Sequence, residues 1–134
     1  GGKILIMSSM TAWTPFPTMS LYGSTKVMLK NFAQSFWYEM RQKGVSVTTV
    51  YPGAVDTPLY NLPDSQHKLL RGFGVMSSAE SVARKGLRAM NRGRRKVIPG
   101  LFTKIVVAIC AILPAVALLP VLKIPAIRRI LDRL

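Results

Sequence analysis

SMTAWTPFPTMSLYGSTK, residues 9–26, decides the fold together with the apolar segment on each side of it. The segment before it, Lys3–Met7 (KILIM), is short and continuously apolar, which is typical of a strand buried on both faces of a parallel sheet. The segment after it, residues 45–51 (VSVTTVY), is rich in β-branched residues and predicts a second strand. Apolar residues at spacings of three and four predict a helix over residues 20–43, with Lys30 outside this apolar stripe. The stripe consists of Met28, Leu29, Phe32, Ala33, Phe36, Trp37 and Met40. The order strand, helix, strand implies a right-handed crossover and a parallel sheet.

Three short stretches are expected to meet at one edge of this predicted sheet. In open parallel sheets the ligand crevice lies at the carboxyl ends of the strands. Ser8–Ser9 follows the first strand, Pro52–Gly53 follows the second, and Tyr22 lies near the start of the helix between them. Tyr22 and Lys26 are four residues apart, so they share a helix face. A tyrosine that exchanges a proton near pH 7 needs a pKa below the ordinary value of about 10, and a nearby fixed cation lowers it.

The ordered set Ser9, Tyr22-x-x-x-Lys26 and Pro52-Gly53-x-x-x-Thr57 resembles the short-chain dehydrogenases/reductases. The resemblance covers about residues 3–100, and the gap of thirteen residues between Ser9 and Tyr22 is the usual one in that family. It implies an α/β fold, a doubly wound Rossmann domain with a parallel sheet, of which this chain is expected to hold the C-terminal half. The family's Gly-rich phosphate loop, cofactor-selecting residue and catalytic asparagine are then expected upstream, and this segment alone is expected not to turn over.

The resemblance also implies a role for each matching residue. Tyr22 would be the general acid/base, Lys26 would support it and hydrogen-bond the nicotinamide ribose, and Ser9 would stabilise the substrate oxygen. The implied reaction interconverts a carbonyl and an alcohol, with NADP or NAD as the cofactor that carries the hydride. The long helix, with Trp37 and Tyr38, is commonly a dimer surface in this family, so a homodimer is one expectation. Besides Tyr22 and Lys26, the residues expected around the cofactor are Pro52, Gly53, Val55 and Thr57.

The chain after Gly53 predicts a covering segment and then another helix. Residues 54–74 are polar and interrupted, which is typical of a segment with a short helix that covers a site. Ser77 and Glu80 fit a capping box, which starts a helix that ends near Asn91. Residues 92–96 (RGRRK) form a predicted basic turn before a short strand. The residues expected on the inward face of this helix are Val82, Ala83, Gly86, Leu87 and Met90.

The net charge of +14 is concentrated in the second half of the chain. Residues 1–67 hold five Lys/Arg and three acids, giving +2, and residues 68–134 hold fourteen Lys/Arg and two acids, giving +12. A basic half attracts nucleic acid, anionic lipid or a phosphorylated cofactor. The charges cluster beside an apolar tail and do not alternate with aromatic residues, which argues against nucleic-acid binding. The single cysteine, Cys110, excludes an internal disulfide and offers no metal cluster.

Residues 101–134 form a tail that differs in composition from residues 1–100, the predicted Rossmann part. Residues 105–122 carry no charge but include two prolines, and residues 123–134 predict a short basic amphipathic helix. The tail could attach to a membrane surface, span the membrane, or pack as a core or oligomer helix. Membrane attachment would resemble family members that act on lipophilic ketones or alcohols, with the active site on the cytoplasmic side. The alternative function is a non-catalytic membrane-associated protein that keeps the fold.

Overall fold

A computed structural model of the chain describes residues 1–16, 19–56, 64–112 and 120. Strands and helices alternate through most of this part of the chain. The strands are β1 (Lys3–Met7), β2 (Ser46–Val50), β3 (Ala54–Asp56), β4 (Met76–Ser78) and β5 (Lys96–Val97). The α-helices are α1 (Ser20–Gln42), α2 (Asp64–Gly72), α3 (Ala79–Asn91) and α4 (Leu101–Ile112), and a 3-10 helix spans Met10–Ala12.

The strands form parallel pairs, as the strand, helix, strand order predicts. β1, β2 and β5 make a three-stranded sheet in the order β1-β2-β5, with Lys3 opposite Ser46 and Met7 opposite Val50. β3 and β4 form a second parallel pair. Since parallel strands cannot be joined by a tight turn, α1 provides the crossover from β1 to β2.

Helices α1 and α3 pack on opposite faces of β2. Successive side chains of a strand point to opposite faces of the sheet. Val50 meets α3, where a Cβ atom placed on Gly86 would lie 3.1 Å from Val50 Cγ2. The next residue, Tyr51, stacks edge-on against Trp13, whose ring lies under Lys30 of α1. Buried on both faces, β2 lies at the centre of the core.

Helix α1 confirms the predicted helix, but only part of its apolar stripe is inward. Ala33 is buried, and Leu29, Phe36, Trp37 and Met40 are half-buried. Met28 and Phe32, which the spacing also assigns to the stripe, are mostly exposed. The Phe32 ring stacks on Phe36 at 5.2 Å between centroids, so the stripe continues onto the outer surface of the helix.

Helix α3 begins one residue later than the capping box predicts. Ser78, and not Ser77, is the N-cap, because the Ser78 hydroxyl accepts the Ser81 N–H at 3.2 Å. Ser77 belongs to β4, and Glu80 pairs with Arg84 on the helix surface. The inward face also differs from the prediction: Ala83 and Leu87 are exposed and Met90 is half-buried. The buried residues of α3 are Val82, Gly86 and Ala89.

Helix α4 is the described beginning of the predicted apolar tail. Thr103 and Val107 face inward and are buried, and most other residues of the helix are exposed. Among the residues that the structure describes, no helix combines the length and apolar character that crossing a bilayer requires. Residues 113–119 and 121–134, which hold the predicted amphipathic helix, lie outside the described residues.

Candidate functional site

The carboxyl ends of β1 and β2 hold the Ser9 and Pro52 segments at one edge of the sheet. The N–H of Ser8 donates to the Val50 carbonyl at 2.9 Å, and the N–H of Met10 donates to the Pro52 carbonyl at 2.8 Å. These bonds continue the strand pairing beyond the ends of both strands. The sequence-based prediction that the two segments share an edge is therefore confirmed.

Ser9 is buried and takes part in the start of the 3-10 helix. Its hydroxyl oxygen accepts the Thr11 N–H at 3.2 Å, which caps that helix. A hydroxyl has one donor and two acceptor lone pairs, so this bond leaves the Ser9 O–H able to donate elsewhere. The capping bond fixes the direction of the side chain at the edge of the sheet.

Tyr22 and Lys26 lie on the first two turns of α1. The Lys26 ammonium nitrogen is 5.3 Å from the centroid of the Tyr22 ring, so the two side chains share a helix face. Tyr22 is 44% exposed, so its ring is accessible to a ligand. A separation of this size places the cation within reach of the negative face of the ring.

The first turns of α1 contact the Ser8–Thr11 segment directly. The Ser8 hydroxyl donates to the Lys26 carbonyl at 3.4 Å. A Cβ atom placed on Gly23 would lie 3.8 Å from the Thr11 carbonyl oxygen. The structure therefore brings the Tyr22–Lys26 turns, the Ser9 segment and the Pro52 segment together at one edge.

Thr103 approaches the Gly53 backbone closely, and this contact is not predicted by the sequence. A Cβ atom there would be 2.3 Å from Thr103 Oγ1 and 3.3 Å from Met10 Sδ. Thr103 is buried and belongs to α4, more than forty residues away in the chain. Only a glycine leaves room for this approach, so α4 packs onto the same edge as the site. No local sequence pattern links Thr103 to Gly53.

The remaining predicted cofactor residues follow Gly53. Val55 is half-buried in β3, opposite Ser77 of β4. Asp56 forms an ion pair with Arg71 of α2, which ties that helix to the strand beside the site. Thr57 lies outside the described residues.

Lys30, Trp13 and Tyr51 form a cluster that packs against the segment after Ser9. The Lys30 ammonium donates to the Ala12 carbonyl at 3.1 Å and lies 4.3 Å from the centroid of the Trp13 ring. Trp13 packs edge-on against the buried Tyr51 at 5.8 Å. Burial raises the pKa of Tyr51, and this outweighs the Thr49 hydrogen bond and the Arg95 charge, which lower it.

The chemistry available at this edge is that of hydrogen-bond donors around one accessible phenol. Tyr22 can donate or accept a proton, Lys26 supplies a fixed positive charge, and Ser9 supplies a second hydroxyl. A substrate oxygen that gains negative charge would be stabilised by such donors.

Comparison with known families and proteins agrees with this arrangement. The model of the short chain dehydrogenase family matches residues 1–67. The 2,3-dihydro-2,3-dihydroxybenzoate dehydrogenase of Escherichia coli (strain K12) is 38% identical over 78 residues, which are 55% of this chain and 32% of that protein. Estradiol 17-beta-dehydrogenase 2 of Rattus norvegicus is 34% identical over 68 residues, 51% of this chain and 18% of that protein.

A solved structure shows the same fold over most of the chain. A short chain dehydrogenase from Burkholderia cenocepacia J2315, in complex with NADP, superposes with a TM-score of 0.72 at 22% identity. The match covers 93% of this chain and 48% of that one. The parallel α/β arrangement is thus a Rossmann-like one. The chain spans less than half the length of these relatives.

Proposed function

Because the chain belongs to the short-chain dehydrogenase family, we propose that it carries the proton-transfer part of an NAD(P)-dependent oxidoreductase that interconverts a carbonyl and an alcohol. In this proposal Tyr22 is the general acid/base. It protonates the carbonyl oxygen during reduction and takes the hydroxyl proton during oxidation.

The observation that carries the proposal is the Lys26 ammonium 5.3 Å from the Tyr22 ring, on the turns of α1 that contact the Ser9 segment. In this proposal the Lys26 ammonium is a fixed positive charge beside the group that transfers the proton. We propose that Ser9, in the segment at the same edge, supplies a second hydroxyl to the substrate oxygen. The cation therefore assists Tyr22, and Ser9 assists the substrate.

The residues at this edge fit a nicotinamide nucleotide, which would supply or accept the hydride when bound. Tyr22 and Lys26 are donors that suit ribose hydroxyls. The Pro52 carbonyl, which accepts the Met10 N–H, lies at the carboxyl edge of the sheet, where such ligands bind. The Burkholderia cenocepacia structure, with the same fold, is a complex with NADP. We propose NADP or NAD as the cofactor, held by Lys26 and by Pro52, Gly53, Val55 and Thr57.

The test is Tyr22→Phe in the intact protein. This change removes one oxygen and keeps the ring, so we expect the chemical step to slow by about 10²–10⁴-fold while the cofactor still binds. Single-turnover kinetics would measure the chemical step, and the fluorescence of the reduced nicotinamide would measure binding.

Tyr38→Phe is the matched control, because Tyr38 lies on the same helix and is exposed. We expect it to leave both measurements unchanged. Turnover in Tyr22→Phe equal to that of the unsubstituted protein would rule out the assigned role. A protein that binds cofactor but turns over no carbonyl or alcohol, even before substitution, would favour the non-catalytic alternative.

We also propose that the substrate is lipophilic and that residues 101–134 attach the protein to a membrane surface on the cytoplasmic side. The exposed apolar side chains of α4 support attachment, and one relative is named for estradiol, a steroid alcohol. Removal of the residues after Gly100 should release the protein from membranes into the supernatant on centrifugation. An intact protein that stays in the supernatant without detergent would contradict the attachment.

A homodimer through α1 completes the proposal. Met28 and Phe32 present apolar surface on the outer face of this helix, which supports contact with a second copy. Phe32→Glu should then shift the mass in sedimentation to that of a monomer. A dimer that persists in this variant would exclude this face.

A further inference from the structure

A cavity of about 260 Å³ opens between the C-terminal half of α3 and the start of α4, on the side of β5. Five basic side chains line it, and all five are exposed. We refer to it as the basic groove. Its basic residues are Lys85, Arg88, Arg92, Arg94 and Lys104.

These charges come from three separate parts of the fold. Lys85, Arg88 and Arg92 follow one another at spacings of three and four, so they share one face of α3 and its cap. Arg94 lies in the turn before β5, and Lys104 lies in the first turn of α4. The groove is therefore a convergence of charge in space, and the basic turn predicted over residues 92–96 contributes only two of its members.

The part of the chain that the structure describes provides little to neutralise the basic groove. None of the described residues that line it is acidic. The ion pairs formed by Asp56 and Glu80 neutralise Arg71 and Arg84, which lie outside the lining. Lys104 also lies in the first turn of a helix, where the partial positive charge of the backbone disfavours a cation. Five cations in such a site repel one another, and an external anion would relieve that repulsion.

The exposed apolar surface of α4, beside the groove, indicates which kind of molecule carries the anion. Helix α4 begins at the groove and presents a row of exposed apolar side chains, with Leu101 75% exposed and Ile112 82% exposed. Phe102, Ile105 and Ile109 continue this row. A soluble phosphate or a nucleic acid would match the cations but would leave the apolar row in water. An anionic bilayer matches both, because its headgroups carry phosphate and its acyl region accepts apolar side chains.

We propose that the basic groove binds the phosphate of an anionic lipid headgroup while the apolar row of α4 enters the bilayer interface. The inference rests on the proposed membrane attachment for the source of the phosphate, and it is independent of the redox reaction. The proposal specifies the class of lipid and the residues that select it. It also places part of the membrane contact on α3, the turn before β5 and α4.

The test is co-sedimentation of the intact protein with vesicles of phosphatidylcholine alone or with about 30% phosphatidylglycerol, in about 0.1 M NaCl, where screening leaves short-range attraction. The triple variant Arg88→Gln, Arg92→Gln, Arg94→Gln should lose roughly a hundredfold in affinity for the anionic vesicles, about fivefold per charge. It should bind neutral vesicles as before. The side chains are exposed, so circular dichroism should show an unchanged fold.

The matched control removes three charges outside the groove, with Lys3→Gln, Lys43→Gln, Lys68→Gln. All three lysines are exposed, so the net charge falls equally. This variant should keep its affinity for anionic vesicles within about threefold, since the screening length is about 10 Å. Equal losses of affinity for anionic vesicles in the two triple variants would overturn the proposal, because they would indicate a general effect of net charge.

A second variant pair tests the apolar row. Leu101→Ser, Ile112→Ser should weaken binding to both kinds of vesicle, since both side chains are mostly exposed in the free protein. Unchanged binding would overturn the inference in favour of a soluble anion. Binding of inorganic pyrophosphate or duplex RNA, with none to anionic vesicles, would overturn it as well. If the intact protein binds no vesicles at all, the membrane attachment fails too, whereas failure of the groove variants alone leaves that attachment standing.

Discussion

The carboxyl edge and the basic groove are built in opposite ways. At the carboxyl edge, backbone atoms set the geometry: the Met10 N–H bonds the Pro52 carbonyl, and Gly53 leaves room for Thr103. In the basic groove, exposed side chains from α3, the following turn and α4 converge, and none of the described residues that line the groove is acidic. The edge is fixed by folding, whereas the groove is a charge distribution on an already folded surface. We therefore expect substitutions at the edge to cost stability and substitutions in the groove to leave it nearly unchanged.

The largest expected effect comes from Gly53→Ala. The backbone of Gly53 does not have a positive φ, so the cost is steric: the new Cβ would lie 2.3 Å from Thr103 Oγ1. Overpacking of this kind costs about 2–3 kcal/mol of unfolding free energy, measured by urea denaturation. Gly72→Ala is the control, because nothing lies within 4 Å of a Cβ there.

Thr103→Ala should partly rescue Gly53→Ala, because it removes both side-chain atoms nearest to the new methyl group. A double-mutant cycle would measure that coupling. If the changes in unfolding free energy of the two substitutions are additive, Thr103 does not approach Gly53 closely. Packing of α4 would then not distinguish the carboxyl edge from the basic groove.

A pair of lysines provides the second contrast. Lys30 bonds the Ala12 carbonyl and lies over Trp13, whereas Lys85 lines the groove and is exposed. Lys30→Met should lower the free energy of unfolding by about 1.5 kcal/mol, since it removes a charged hydrogen bond and a cation–π contact. Lys85→Met should change it by about 0.5 kcal/mol or less. Thermal or urea unfolding would measure both, and equal losses would contradict the distinction between edge and groove.

The sequence predicts the elements of the edge because their signals are local. A continuous apolar run, a stripe at helical spacing and a β-branched run lie within a few residues of one another, and the structure confirms β1 over Lys3–Met7 and α1 over Ser20–Gln42. Their order then places Ser9, Tyr22 and Pro52 at one edge. The contacts of Lys30 with Ala12 and Trp13 are not predicted, because its position off the apolar stripe predicts a solvated side chain.

The basic turn shows why the groove could not be predicted. Residues 92–96 form one cluster of charge in the sequence, but in the turn and β5 their side chains lie on different surfaces. Arg95 lies 5.3 Å from the Trp37 ring and Lys96 lies 5.5 Å from the Trp13 ring, while Arg92 and Arg94 line the groove. Neighbours in a strand point to opposite faces, and the partners of each residue are distant in the chain. Spatial convergence of this kind has no signature at a fixed spacing.

Helix α3 joins the two regions, and its N-cap gives the third prediction. Its first residue follows β4 beside the edge, and its last turns line the groove. Ser78→Ala should cost about 1 kcal/mol of unfolding free energy, because it leaves the Ser81 N–H without its capping oxygen. Ser77→Ala should cost clearly less. The reverse order in urea unfolding would restore the capping box predicted at Ser77.

Tyr51 provides the smallest effect, which is absent at neutral pH. Burial raises the pKa of Tyr51 above its ordinary value of 10.0 in the folded protein. Above about pH 10 the unfolded chain therefore releases this proton while the folded chain keeps it, so the unfolded state binds fewer protons and the free energy of unfolding falls as pH rises. Tyr51→Phe removes the titrating group and should make that fall shallower between about pH 9 and 11.

Tyr38→Phe is the control for this measurement, because it removes a phenol from an exposed position of α1 and leaves the buried Tyr51 in place. Its alkaline stability curve should match that of the unsubstituted protein. The comparison of slopes also removes every contribution that is common to all three proteins. If Tyr51→Phe keeps the full alkaline slope, Tyr51 is not desolvated at the edge. The packing of Trp13 against it would then not form the rigid support that distinguishes the edge from the groove.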